Sequence, residues 1–242
     1  MSSNNPILSS SVISNAPVSH GAPMTVQGAV NKTGILLALV SIGAGFSWNL
    51  ASHGGGALWI VAGAIVGMIT ALVTCFKKEW APVSAPIYAV AEGLLLGGVS
   101  AQLNALYPGI AVQACMLTFG TLFGLLAAYR MKWIRASEQF KAVVFVGTMA
   151  VALVYFVSFL LNLFGVRVPF IHEGGQMGII FSCVVVVLAA MNLVLDFDFI
   201  EEAAAAQAPK YMEWYAAFGL MVSLIWLYME ILRLLAKLAR RN

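Results

Sequence analysis

Asp196 and Asp198 are the only aspartates in this 242-residue chain, and they close an uncharged apolar run from Gly178 to Leu195. A carboxylate so close to hydrocarbon is expensive to keep ionised, so it is protonated, paired or turned to a polar cavity. Two residues apart on a helix means roughly 200° of rotation, so the two aspartates cannot share a face. On the Asp196 face lie Ser182, Ala189 and Asn192, a small and polar stripe. On the Asp198 face lie Val187, Met191 and Val194, which suit lipid or an apolar neighbour. Asp196 is therefore the interior candidate, with a helix-end carboxylate reaching headgroup water as the alternative. Asp198 is expected near the interface, with Glu201 and Glu202 in water.

Two further acids sit within apolar sequence. Glu92, in Ala89-Val-Ala-Glu-Gly-Leu-Leu-Leu-Gly97, is expected about one and a half turns inside its span. It either lines a pathway or is a snorkelling or protonated carboxylate near the membrane face. Glu230 has Arg233 three residues on, at ion-pair spacing, and the two are expected to approach the interface together. Arg233, Lys237, Arg240 and Arg241 follow one helical face, which reads as a stripe for lipid headgroups. His20, His53 and His172 are scattered without metal-ligand spacing, so no metal site and no cofactor is expected. Cys75, Cys115 and Cys183 all fall in apolar segments and read as buried small hydrophobes rather than as a disulfide framework.

The elements that must carry these groups follow from composition. Hydrophobic residues make up 61% of the chain and charged residues 10%, against about 25% charged in a soluble domain. The expected fold is an all-α integral membrane protein, a bundle of seven transmembrane helices. Apolar windows long enough to cross a bilayer run approximately Thr33–Ala51, Gly54–Phe76, Ile87–Leu106, Ile110–Tyr129, Ala142–Phe164, Gly178–Phe199 and Tyr215–Leu235. Residues 1–32 read as a mobile polar tail and lack the basic start and apolar core of a signal peptide; residues 33–242 form the membrane domain. Short links such as Ser52-His53 and Tyr107-Pro-Gly109 predict that sequence neighbours are antiparallel neighbours in space. Gly63-xxx-Gly67, Gly93-xxx-Gly97 and Gly120-xxx-Gly124 predict close helix packing. The net charge of +3 is too small to argue for nucleic acid. With the N-terminus inside, eight Lys and Arg residues fall on the cytoplasmic side and five on the other, although the basic C-terminus argues the opposite way.

From about Thr33 to its end, the chain resembles the Bax inhibitor-1 family in its bacterial branch. Glu92-Gly-Leu-Leu-Leu-Gly97 followed by Thr118-Phe-Gly-Thr-Leu-Phe-Gly124 looks like the family's Gly-rich pair, and Arg130 to Gln139 is similar to its polar loop. Leu195-Asp-Phe-Asp-Phe-Ile200 resembles the family's Tyr-Asp-Thr-x-x-Ile, which sets the family aspartate on Asp196. In the last span, Ala216-Ala-Phe-Gly-Leu-Met-Val-Ser223 and Ile231-Leu-Arg-Leu-Leu235 match the family pattern without gaps, and Ser223 then stands where a second aspartate is usual. Glu230 is seven residues further along the same face, and an alternative register, which loses the Ala-Ala and Leu-Leu-Arg matches, pairs Leu227-Tyr-Met-Glu230 with the family's Leu-Tyr-Leu-Asp.

The resemblance implies a pH-sensitive calcium leak, or an ion-homeostasis and stress-response protein, of the bacterial inner membrane. Two aspartates on the last two spans would share a proton and gate a pore, and Asp196, Glu92, Asn192, Ser223, Glu230 and Asp198 are the pathway candidates. Its partners would be membrane lipid and Ca²⁺ as the transported ion. The alternative is a non-transporting regulator that binds another membrane protein, such as a membrane protease. No enzyme is expected: Lys210 and Lys237 flank the last span rather than sitting deep in it as a retinal protein requires, histidines do not cluster, and no second aspartate on another helix completes a protease pair.

Overall fold

A computed structural model describes residues 22–164 and 175–241. Within them run seven long helices: α1 Val26–Ser52, α2 Ala57–Phe76, α3 Ala81–Leu106, α4 Ile110–Arg130, α5 Glu138–Leu163, α6 Gln176–Ala205 and α7 Met212–Arg241. All seven are long and apolar enough to cross a membrane. The described residues hold no sheet, only an isolated bridge between Pro23 and Pro209. Residues 1–21 of the expected tail lie outside the described residues, as do His20, Arg167 and His172.

Five helices begin earlier than hydropathy suggested, α1 and α3 by the widest margins. α1 starts at Val26 rather than Thr33, because Thr25 caps it: the Gly28 amide donates to the Thr25 hydroxyl at 2.9 Å. Its polar first turns, with Gln27 bonded to Asn31 on the exposed face, lower the local hydropathy without breaking the helix. α3 starts at Ala81 rather than Ile87. Pro82 lies in its first turn, where proline is tolerated, and Pro86 forfeits only the bond to the Pro82 carbonyl.

The turn between α1 and α2 is tight, yet these two helices barely touch, because α3 packs against both. This corrects the expectation that sequence neighbours are packing neighbours throughout. Glycine makes the wedge possible. A Cβ on Gly97 would overlap the Ala44 backbone, one on Gly93 the Val40 carbonyl and one on Gly63 the Ala91 carbonyl. Gly120 and Gly124 differ: a Cβ there would meet nothing within 4 Å, so that pair serves no packing within the chain.

α7 occupies the middle of the bundle, touching α1, α3, α4 and α6, and it contributes the fully buried Tyr215, Phe218, Met221, Leu227 and Leu232. α5 is peripheral and rests mainly on α6. The outer surface is apolar, with Leu58, Phe76 and Phe159 among its exposed side chains, as contact with lipid requires. Cys115 and Cys183 are free and exposed on that surface rather than buried, while Cys75 is half-buried. A thiol is apolar enough for lipid, so sequence hydropathy could not tell the two settings apart.

Candidate functional site

The site lies in the antiparallel contact of α6 with α7. At one end of the contact, the Ser223 hydroxyl hydrogen-bonds the Asp196 carboxylate. At the other end, the Lys237 ammonium donates to Ser182 Oγ at 2.8 Å and to the Gly178 carbonyl at 3.0 Å. Both pairs obey one register, because Ser182 and Asp196 are as far apart on α6 as Ser223 and Lys237 are on α7. Midway, the same register sets Ala189 opposite Glu230. Ser182, Ala189 and Asp196 thus face Lys237, Glu230 and Ser223 at intervals of two turns. This polar seam runs about 21 Å, roughly two thirds of a hydrocarbon layer about 30 Å thick.

Every ionisable group of the seam is buried: Asp196 is 4% exposed, Glu230 1% and Lys237 4%. Among the described residues, none has a full set of partners. Asp196 has its bond from Ser223, but Oδ2 has no partner. Glu230 Oε1 accepts from the Tyr155 hydroxyl and from Arg233 Nη1, both at 2.8 Å, while Oε2 has no partner. Ala189 opposite offers no donor, which accounts for that orphan. Lys237 makes two bonds with neutral acceptors and no ion pair among the described residues. Buried charge without a counter-charge is costly, so the seam concentrates unbalanced electrostatics in the most central helix pair.

The remaining candidates are placed elsewhere. Asn192 is half-buried and ties α6 to α5, its Nδ2 donating to Thr148 Oγ1 at 3.0 Å and to the Leu188 carbonyl at 2.9 Å; it does not join Asp196. Asp198 lies in the last turns of α6 and is paired: Lys141 Nζ is 2.7 Å from Oδ2 and 2.9 Å from Glu202 Oε1. The Tyr129 hydroxyl bridges Asp198 and Glu201 at 3.3 and 3.0 Å. Of the residues on the Asp198 face, Val187 meets lipid while Val194 is buried. Glu92 lies against Gly67 of α2, makes no hydrogen bond or ion pair among the described residues and is not part of the seam. Because α3 begins at Ala81, Glu92 sits about 16 Å into the helix, deeper than the sequence placed it.

Glu230 does pair with Arg233, the carboxylate buried and the guanidinium partly exposed, and Lys237 turns inward to Ser182 while Arg240 stays exposed. Tyr155 is the residue that sequence reasoning missed. It holds Glu230, accepts from Arg233 Nη1 at 2.7 Å and lies under the guanidinium, 5.2 Å from ring centre to Cζ. A signal existed: Thr148, Tyr155 and Asn162 recur every seven residues along a helix that past Lys141 carries no other polar side chain but Ser158. The described residues hold no group of three or more His, Cys, Asp and Glu side chains able to bind a metal.

Residues 5–240 match the family described as Bax inhibitor 1 like. The chain belongs to the Bax inhibitor 1-like family. No curated protein and no solved structure gives a significant match. In this Bax inhibitor 1-like chain, a multi-pass membrane protein, Ser223 stands against Asp196, where the resemblance sets the family's second aspartate. A hydroxyl donates to one carboxylate oxygen; it cannot share a proton as a second carboxylate would.

A further buried carboxylate, which the sequence did not mark, belongs to the scaffold. Glu213, in the first turn of α7, is 1% exposed. Its Oε1 accepts from the Thr25 amide at 3.1 Å, the Thr25 hydroxyl at 3.0 Å and Lys210 Nζ at 2.7 Å. A Cβ on Gly28 would overlap this carboxylate, so glycine there makes the clasp possible. The Met24 amide adds a bond to the Ala208 carbonyl at 2.8 Å.

Proposed function

We propose that this protein is a pH-sensitive cation leak, with Ca²⁺ as its cargo and the α6–α7 seam as its gate. The observation that carries the reading is Asp196, buried between the two helices with one oxygen lacking a partner. An ionised Asp196 offers a hard oxygen ligand suited to Ca²⁺. A protonated Asp196 removes that charge, and its O–H becomes a donor that must find an acceptor across the same contact. The two states therefore make different bonds between α6 and α7, which is what a proton-driven gate needs. Glu230, seven residues along from Ser223, is a second carboxylate of the same seam.

Proton sensing here rests on Asp196 and a serine rather than on two carboxylates, so the reading gives a single titrating group in place of a coupled pair. The protein is placed in the bacterial inner membrane and given no catalytic role. The test is Ca²⁺ efflux from liposomes holding the purified protein, between about pH 5 and pH 8. Flux that varies with pH in the native chain and not in Asp196→Asn supports the reading. Unchanged flux and pH response in that variant removes Asp196 from the mechanism.

Ser223 favours a second reading, a non-transporting regulator that binds another membrane protein, because the substitution leaves the sensor with one carboxylate. Stable co-purification with a membrane protein such as a protease, together with no flux in liposomes, would select it.

A further inference from the structure

Where α5 and α7 end, at the same face of the bundle, they enclose a cleft of about 480 Å³. Its walls divide by chemistry. α7 supplies Arg233, Lys237 and Arg240; apolar side chains, Phe159 and Leu103 among them, supply much of the remainder. The cations are not spent among the described residues. Lys237 is buried, uses two of its three N–H donors and does so on neutral acceptors. Arg233 makes its bonds to Glu230 and Tyr155 through Nη1 alone, leaving Nη2 and Nε. Arg240 is exposed at the rim. Among the described residues, the sole acid in contact with the group is Glu230, which is paired with Arg233.

Three cations against one carboxylate leave a net positive site, and the buried ammonium makes a counter-anion energetically valuable. The position at the ends of two spans is the depth of lipid headgroups, and the adjoining wall is open to acyl chains through the exposed Phe159. We propose that this cleft binds the phosphate headgroup of an anionic phospholipid, held by Arg233, Lys237 and Arg240 with an acyl chain lying along Phe159 and Leu103. The shared chemistry with free phosphate is the anion; what distinguishes lipid is the apolar wall.

The experiment compares spin-labelled phosphatidylglycerol with spin-labelled phosphatidylcholine as the lipid immobilised by the full chain in phosphatidylcholine bilayers. The native protein is expected to retain phosphatidylglycerol in clear preference. Arg240→Gln, at an exposed position, and Lys237→Met are each expected to reduce that preference roughly fivefold, as loss of one headgroup-level cation implies. Lys132→Gln, in the loop before α5, leaves it unchanged. Should Lys237→Met fail to fold, Arg240→Gln decides the matter alone. Equal retention of the two lipids by the native chain, or undiminished preference in Arg240→Gln, overturns the proposal. So does complete displacement of phosphatidylglycerol by inorganic phosphate, which would reduce the cleft to a simple anion site; persistence of the lipid signal in excess phosphate supports the assignment.

Discussion

Glu213 and Asp196 are carboxylates buried almost equally, and they differ in what surrounds them. Glu213 gathers three donors on one oxygen, one of them a lysine ammonium, and joins the start of α1 to the start of α7. Asp196 has one hydroxyl and an oxygen with no partner. Low solvent exposure alone therefore does not separate a fastener from a sensor; the count of donors does. A carboxylate tied by several donors holds one arrangement firmly, and one with a single donor has a second arrangement within reach.

Substituting each group in turn can break that comparison. The largest effect is expected at Asp196→Asn, which should abolish the pH response of Ca²⁺ flux while leaving the melting temperature in detergent unchanged or raised, because it removes an uncompensated buried charge. A strong drop in melting temperature would make Asp196 a fastener after all. Glu213→Ala should do the reverse, costing about 2–3 kcal/mol of stability through hydrogen bonds to a charged group, read by denaturation in mild detergent. Tyr155→Phe tests the intermediate case. Glu230 keeps Arg233 but loses a neutral donor, for an expected cost of about 1 kcal/mol in the same assay. The finest test adds a donor: Ala189→Ser faces Glu230 and should supply its unpartnered oxygen, raising stability by up to about 1 kcal/mol. No gain there would show that the register leaves Glu230 Oε2 out of reach.

Much of the fold was legible because a bilayer imposes its own punctuation. Seven apolar windows became seven helices, and the face arithmetic that grouped Ser182, Ala189 and Asp196 describes the seam found between α6 and α7. The placement of Ser223 opposite Asp196 came from the family resemblance rather than from spacing, and the hydrogen bond between the two agrees with it. Partners on distant helices were not legible. Nothing local to Glu230 announces Tyr155, and nothing local to Asp198 announces Lys141, because such pairs depend on which helices touch and at what rotation. The order of packing was likewise hidden: hydropathy is blind to α3 sitting against both α1 and α2, which only the glycines at Gly63, Gly93 and Gly97 make sterically possible. Helix starts were misplaced where polar caps and prolines, not lipid, set the boundary, as at Val26 and Ala81.

The clasp of Thr25 and Met24 on the loop before α7 has a mechanical consequence. It fixes the first turn of the central helix to the beginning of the membrane domain, next to the Pro23–Pro209 bridge. Its opposite end is steadied by Lys237 on a carbonyl and a hydroxyl, with a cleft alongside. A rod pinned at one end and loosely seated at the other pivots more readily than it slides. Any rearrangement of the seam should then grow with distance from the pin, smallest at Ser223 and widest near Arg240.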